Sequence, residues 1–104
     1  MEWFTDVYKR KIRLSEDRRK HIEDDHLEMA DQFDKIHATI LNPDLIIRSK
    51  TDPTVEMFYQ HYKTTPVTEK YLCVVIKVLH DDLFVITAYF TDSIKKGETL
   101  WRRK

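Results

Sequence analysis

Leu72-Cys73-Val74-Val75-Ile76-Lys77-Val78 and Phe84-Val85-Ile86-Thr87-Ala88-Tyr89-Phe90-Thr91, joined through His80-Asp81-Asp82, decide the fold of this chain. Successive side chains of a strand point to opposite faces. Leu72, Val74, Ile76 and Val78 therefore share one face. Phe84, Ile86, Ala88 and Phe90 are expected on the matching face of the neighbouring strand. The reverse side carries Lys77, Thr87, Tyr89 and Thr91. That polar side reads in two ways. It is the solvated face of an antiparallel sheet, or it is a surface of hydroxyls and an ammonium suited to phosphate.

Outward from this pair, Leu45 to Lys50 and Val55 to Lys63 read as strands separated by the turn Thr51-Asp52-Pro53. With Lys70 to Leu79 and Leu83 to Thr91 the last three strands follow one another through short links, which predicts an antiparallel meander. Upstream, Phe33, Ile36, His37, Ile40 and Leu41 recur at helical spacing, with Asp31 as the cap and Pro43 after the end. Ser15 reads as the N-cap of an earlier helix reaching about Asp25. Glu16 and Asp17 in its first turn suit the helix dipole, and Ile22 is its one clear core residue. Val7 to Leu14 reads as an edge strand. Ile94 to Gly97 reads as a short turn, and Trp101 is expected to cover the sheet edge. The resulting expectation is an α+β domain over residues 1–104, with two N-terminal helices packed on an antiparallel sheet of about four strands. The helices should lie on the face of Val74, Ile76, Phe84, Ile86 and Phe90.

Composition narrows the class. With 104 residues, 41% hydrophobic and 35% charged, the chain suits one globular domain rather than a disordered segment. No apolar run approaches the roughly 20 residues of a membrane span. No apolar leader is visible, and a lone cysteine permits neither an internal disulfide nor a cysteine-based zinc site. A cytoplasmic setting is the expectation. Cys73, among Val and Leu, reads as an inert buried thiol. The single glycine, Gly97, excludes Gly-rich phosphate loops and with them a nucleotide cofactor.

Lys plus Arg equals Asp plus Glu at 18 each, which argues against a general nucleic-acid coat. The charges are nevertheless segregated. Lys9, Arg10, Lys11 and Arg13, then Arg18, Arg19 and Lys20, form basic runs, and Lys95, Lys96, Arg102, Arg103 and Lys104 form another. Glu23, Asp24, Asp25, Glu28, Asp31 and Asp34 concentrate the acid. One face could attract an anion.

The five histidines lack the i, i+4 spacing of helical zinc sites, so no metal is expected. His21 lies on a polar helix, one turn from both Arg18 and Asp25, where the carboxylate could orient the imidazole as beside a catalytic base.

Arg18-x-x-His21-Ile22, His26-Leu27-Glu28-Met29, Leu41-Asn42-Pro43-Asp44-x-Ile46, Tyr59, Val74-Val75-Ile76-Lys77, Phe84-x-Ile86-Thr87-Ala88-Tyr89-Phe90-Thr91, and Ile94-Lys95-Lys96-Gly97 with Trp101 together resemble the phage and bacterial nuclease-like domains grouped with barnase, EndoU, colicin D and RelE. The resemblance covers about residues 18 to 101. It implies helices on a curved antiparallel sheet and metal-independent RNA cleavage by 2′-OH attack on phosphate. His21 would then be the acid or base. Lys77 and Arg48 would neutralise phosphate, and Thr87, Tyr89 and Thr91 would supply hydroxyls. Arg18 and Lys95 would join the RNA-binding surface. It further implies RNA as substrate, a toxin or phage association, an antitoxin or immunity protein as partner, and no cofactor. The alternative is a non-catalytic module of the same fold that acts through a protein partner. The two part on one geometric condition: in a nuclease, His21, Lys77, Thr87 and Tyr89 must converge on one patch.

Overall fold

The computed structural model describes Met1–Lys104. Its strands are β1 (Glu2–Thr5), β2 (Lys11–Leu14), β3 (Leu45–Ser49), β4 (Val55–Tyr62), β5 (Lys70–Val78), β6 (Leu83–Thr91) and β7 (Gly97–Arg102). The helices α1 (Glu16–Asp25) and α2 (Phe33–Leu41) lie between β2 and β3, linked by a 3-10 turn at Leu27–Met29. The expectation of about four strands is overturned, although the class remains α+β. One seven-stranded sheet runs β1-β2-β6-β5-β4-β3-β7, and it is mixed because β2 lies parallel to β6.

Two segments account for the difference. The single edge strand expected over Val7 to Leu14 is a hairpin, β1 paired antiparallel with β2 around a turn in which Lys9 takes a positive φ of 67°. The tail, expected as a turn and a covering tryptophan, is β7, antiparallel to β3. The meander β3 to β6 is antiparallel throughout, as the short links dictate.

A bulge in β6 corrects the face assignment. Val75 pairs with Thr87 but Ile76 pairs with Val85, so Ile86 is the extra residue. An extra residue inverts the alternation beyond it. Ala88 and Phe90 keep the inner face as expected, but Val85 replaces Ile86 there and Phe84 goes to the reverse side. The core on this first face includes Leu72, Val74, Ile76, Val85, Ala88 and Phe90 from β5 and β6, and Ile22, Met29, Phe33, Ile36 and Ile40 from the helical layer. Leu41, expected in that stripe, is exposed.

Ser15 caps α1 as its sequence requires, its hydroxyl accepting the Arg18 N–H at 3.1 Å. Asp31 does not cap α2. It has a positive φ of 62°, and Gln32 holds the cap position without a side-chain bond.

The sheet curves around its first face, because the β1–β2 turn reaches strands at the far end of the order. Arg10 Nη2 lies 2.8 Å from Glu56 Oε1 of β4, while the wholly buried Asp6 carboxylate accepts from Arg10 Nε at 2.7 Å. Tyr8 donates its hydroxyl to the Leu100 carbonyl of β7 at 3.2 Å.

The connection from β6 to β7 shapes the second face. It must pass β5, β4 and β3 within Asp92–Lys96. This strap buries a smaller apolar cluster of Leu45, Ile47, Met57, Tyr59 and Cys73, with Ile94 packed on it. Gly97 lets β7 begin tight against β3: a Cβ there would lie 2.1 Å from the Arg48 carbonyl oxygen. No helix is long and apolar enough to cross a membrane.

Candidate ligand-binding face

Cross-strand partners in a sheet share a face, so the register assigns the expected site residues that lie on strands. Lys77, Thr87, Tyr89 and Thr91 lie together on the second face, opposite Val55, Val75, Cys73 and Tyr71 respectively. The alternation in β5 and the distal half of β6 therefore placed four residues correctly relative to one another. Lys77 Nζ is held 2.9 Å from Asp52 Oδ2. Lys95, on the strap, joins this face.

The remaining expected residues lie elsewhere. The helices cover the first face, so α1 carries His21 and Arg18 there, away from Lys77. The His21 side chain is 58% exposed and its Nε2 lies 3.6 Å from Asp17, one turn upstream, rather than meeting Asp25. Arg48 pairs in register with Glu56, which is opposite Ile76, and so belongs to the first face. Its guanidinium lies 3.0 Å from Glu98. The convergence of His21 with Lys77, Thr87 and Tyr89 does not occur. No group of three or more His, Cys, Asp or Glu residues is arranged to hold a metal.

What does converge is a different set. The strap, the β3–β4 turn and the second face enclose a depression of about 240 Å³. Val55, Met57 and Val75 form its apolar floor, Tyr89 its wall, and Ser49, Lys50, Thr51, Lys95 and Lys96 its polar lining. Lys50, Lys95 and Lys96 form no ion pair. The carboxylates of neighbouring segments are taken: Asp52 by Lys77, Glu98 by Arg48 and Asp92 by Lys70. Three unneutralised ammonium groups above an apolar floor favour an anion attached to an apolar or aromatic body.

The protonation chemistry beneath the depression is inert. Burial pushes the Tyr59 and Tyr89 phenols far above their ordinary range, and pushes the Cys73 thiol up to about 11. None of the three ionises near neutrality. An imidazole touches the wall of the depression, that of His26, the C-cap of α1. Its ring centroid lies 5.4 Å from that of Tyr89, and its Nδ1 lies 3.9 Å from Glu28 Oε2. A second, polar depression of about 210 Å³ is lined by His61, Glu69, Lys70, Tyr71 and Asp92, with His61 Nε2 2.8 Å from Glu69.

Lys50 and Lys96 escaped a sequence reading of this site. Lys95-Lys96 was legible as a basic pair, but placing it beside Lys50 requires the crossover topology. Nothing matches this chain among models of known families, functionally described proteins or solved structures.

Proposed function

We propose that the protein is a binding module that holds single-stranded RNA by its phosphates on the second sheet face. The observation that carries this reading is the trio Lys50, Lys95 and Lys96, free of carboxylates, around an apolar-floored depression walled by Tyr89. A phosphate needs the cations, and the attached ribose and base need the apolar and aromatic surface. The balanced net charge is no obstacle, because a local group of cations that form no ion pair suffices to attract a phosphate. The first test is binding of a labelled single-stranded RNA to the purified protein at low and moderate salt. Replacing Lys50, Lys95 and Lys96 by Ala together should abolish binding and leave folding intact. Wild-type protein that binds no RNA at low salt would overturn the reading and turn the search to an acidic protein partner.

A second reading is favoured by one contact, that of His26 with Tyr89. It is metal-independent RNA cleavage in which His26, rather than His21, exchanges the proton of the attacking 2′-OH. The same RNA incubated in chelator and examined for 2′,3′-cyclic ends decides it. His26→Ala should lower the rate about 10²–10⁴-fold if the imidazole is the acid or base, and His21→Ala should leave it unchanged. Intact RNA bound by folded wild type leaves the binding module.

A further inference from the structure

The pairing register lines up a row of side chains running across five strands on the second face. Trp3 of β1 is opposite Arg13 of β2. Arg13 is opposite Phe84 of β6, Phe84 opposite Lys77 of β5, and Lys77 opposite Val55 of β4. Val55 is the floor of the lysine-rimmed depression. Aromatic and cationic residues thus alternate from one edge of the sheet to the mouth of the site. At about 4.8 Å between strands the row is about 19 Å long.

The row is ordered and open to solvent at its edge, with Trp3 exposed and Arg13, Phe84, Lys77 and Val55 half-buried. Trp3 is 60% exposed, far more than an indole serving the core would be. The Arg13 guanidinium lies 4.8 Å above the Phe84 ring and is fixed there by two hydrogen bonds to Asp82, at 2.9 and 2.8 Å. Lys77 is fixed likewise by Asp52. Lys11, beside Trp3 on the same face, bonds the Thr5 hydroxyl and no carboxylate. Planar groups on an open sheet face are stacking platforms for unpaired bases, and the free ammonium groups at both ends suit the backbone that links those bases. A duplex hides its base faces and could not use the row.

We infer that a single RNA strand crosses the sheet along Trp3, Arg13, Phe84 and Lys77, stacking bases on Trp3 and on the Phe84–Arg13 pair before its phosphates enter the Lys50, Lys95 and Lys96 mouth. This path rests on the RNA-binding reading above and extends it. Asp82 holds the Arg13 guanidinium in place, whereas Asp52 neutralises Lys77 and its carboxylate opposes phosphate. Neutralising Asp52 should therefore tighten binding.

The test uses a twelve-nucleotide RNA, single-stranded or annealed to its complement, with the variant Trp101→Phe so that Trp3 alone fluoresces. The single strand should quench Trp3 emission and the duplex should not. Trp3→Ala and Phe84→Leu should each weaken single-strand binding about 5- to 150-fold, and Asp52→Asn should strengthen it severalfold. Leucine at position 84 keeps the site apolar, and circular dichroism confirms the fold of each variant. Wild-type affinity in both platform variants, with loss only in the lysine variants, would overturn the path and leave the depression as the whole site. Equal quenching by duplex would overturn it as well. No RNA binding by wild type would remove both the path and the reading beneath it.

Discussion

The Tyr59 phenol accepts the backbone N–H of Lys95 at 3.1 Å, joining residues 36 positions apart. Tyr59 is wholly buried in the second-face cluster, and Lys95 lies on the strap that covers it. This bond fixes the height of the strap, and therefore the place of the lysines beside Ser49, Lys50 and Thr51. Tyr59→Phe keeps the ring and removes the acceptor. It should cost about 0.5–1.5 kcal/mol in denaturant unfolding, with faster amide exchange at Lys95 and weaker RNA binding.

Gly97→Ala tests the other end of the strap. The added methyl would meet the Arg48 carbonyl at 2.1 Å and Ile47 Cγ2 at 2.7 Å, so β7 must move. A loss of about 1–3 kcal/mol is expected, as for other overpacked sites. Amide protection should fall in β7 and β3 while β5 and β6 remain protected.

The β6 bulge makes a comparison of two adjacent residues informative. Val85 is 1% exposed in the main core and should lose about 2 kcal/mol on truncation to Ala. Ile86, unpaired in the bulge and only partly buried, should lose less than Val85. The reverse order in thermal or urea unfolding would show a regular β6.

Much of this architecture is legible in the residues, and the failures have physical causes. Ser15 and the 3.6-residue spacing of Phe33, Ile36 and Ile40 announce the helices because capping and amphipathic burial are local. The meander is legible because short links permit little else. The bulge at Ile86 is not, since Phe84-Val85-Ile86 is apolar at every position and no alternation betrays a change of phase. β7 is hidden because Gly97 to Arg102 gains its strand conformation from β3, not from its own propensity. The site fails for a related reason. Lys77, Thr87 and Tyr89 share a face by local periodicity, but which face α1 covers is set by long-range packing, and that removes His21 and Arg18.

Acid should expose the Asp52 contacts. Hydrogen bonds from the Thr54 hydroxyl, then from Lys77, hold the Asp52 carboxyl down to about 2 from an ordinary 3.8. Its folded-state value is the lower one, so its contribution is complete above about pH 4 and is lost as pH falls towards 2. Asp52→Asn should flatten the pH dependence of stability in that window and leave it unchanged near neutrality.

On the proposed RNA-binding reading, salt gives an independent count of the phosphates held. Three ammonium groups on a single strand predict a slope of log affinity against log salt near −2, about −0.7 for each phosphate neutralised. Each of Lys50→Ala, Lys95→Ala and Lys96→Ala should reduce that slope by about 0.7. His21→Ala should not change it.

The strap also sets an order of assembly. β7 has β3 as its sole neighbour, and Lys95 and Lys96 reach Lys50 only after the chain has crossed three strands. A partly folded chain with β1 to β6 in place would present the aromatic row without the cationic mouth. On the proposed RNA-binding reading, tight binding is thus confined to the completed fold. By linkage, occupancy of the mouth should protect β7 from local opening, so that the ligand acts as a clasp on this edge strand.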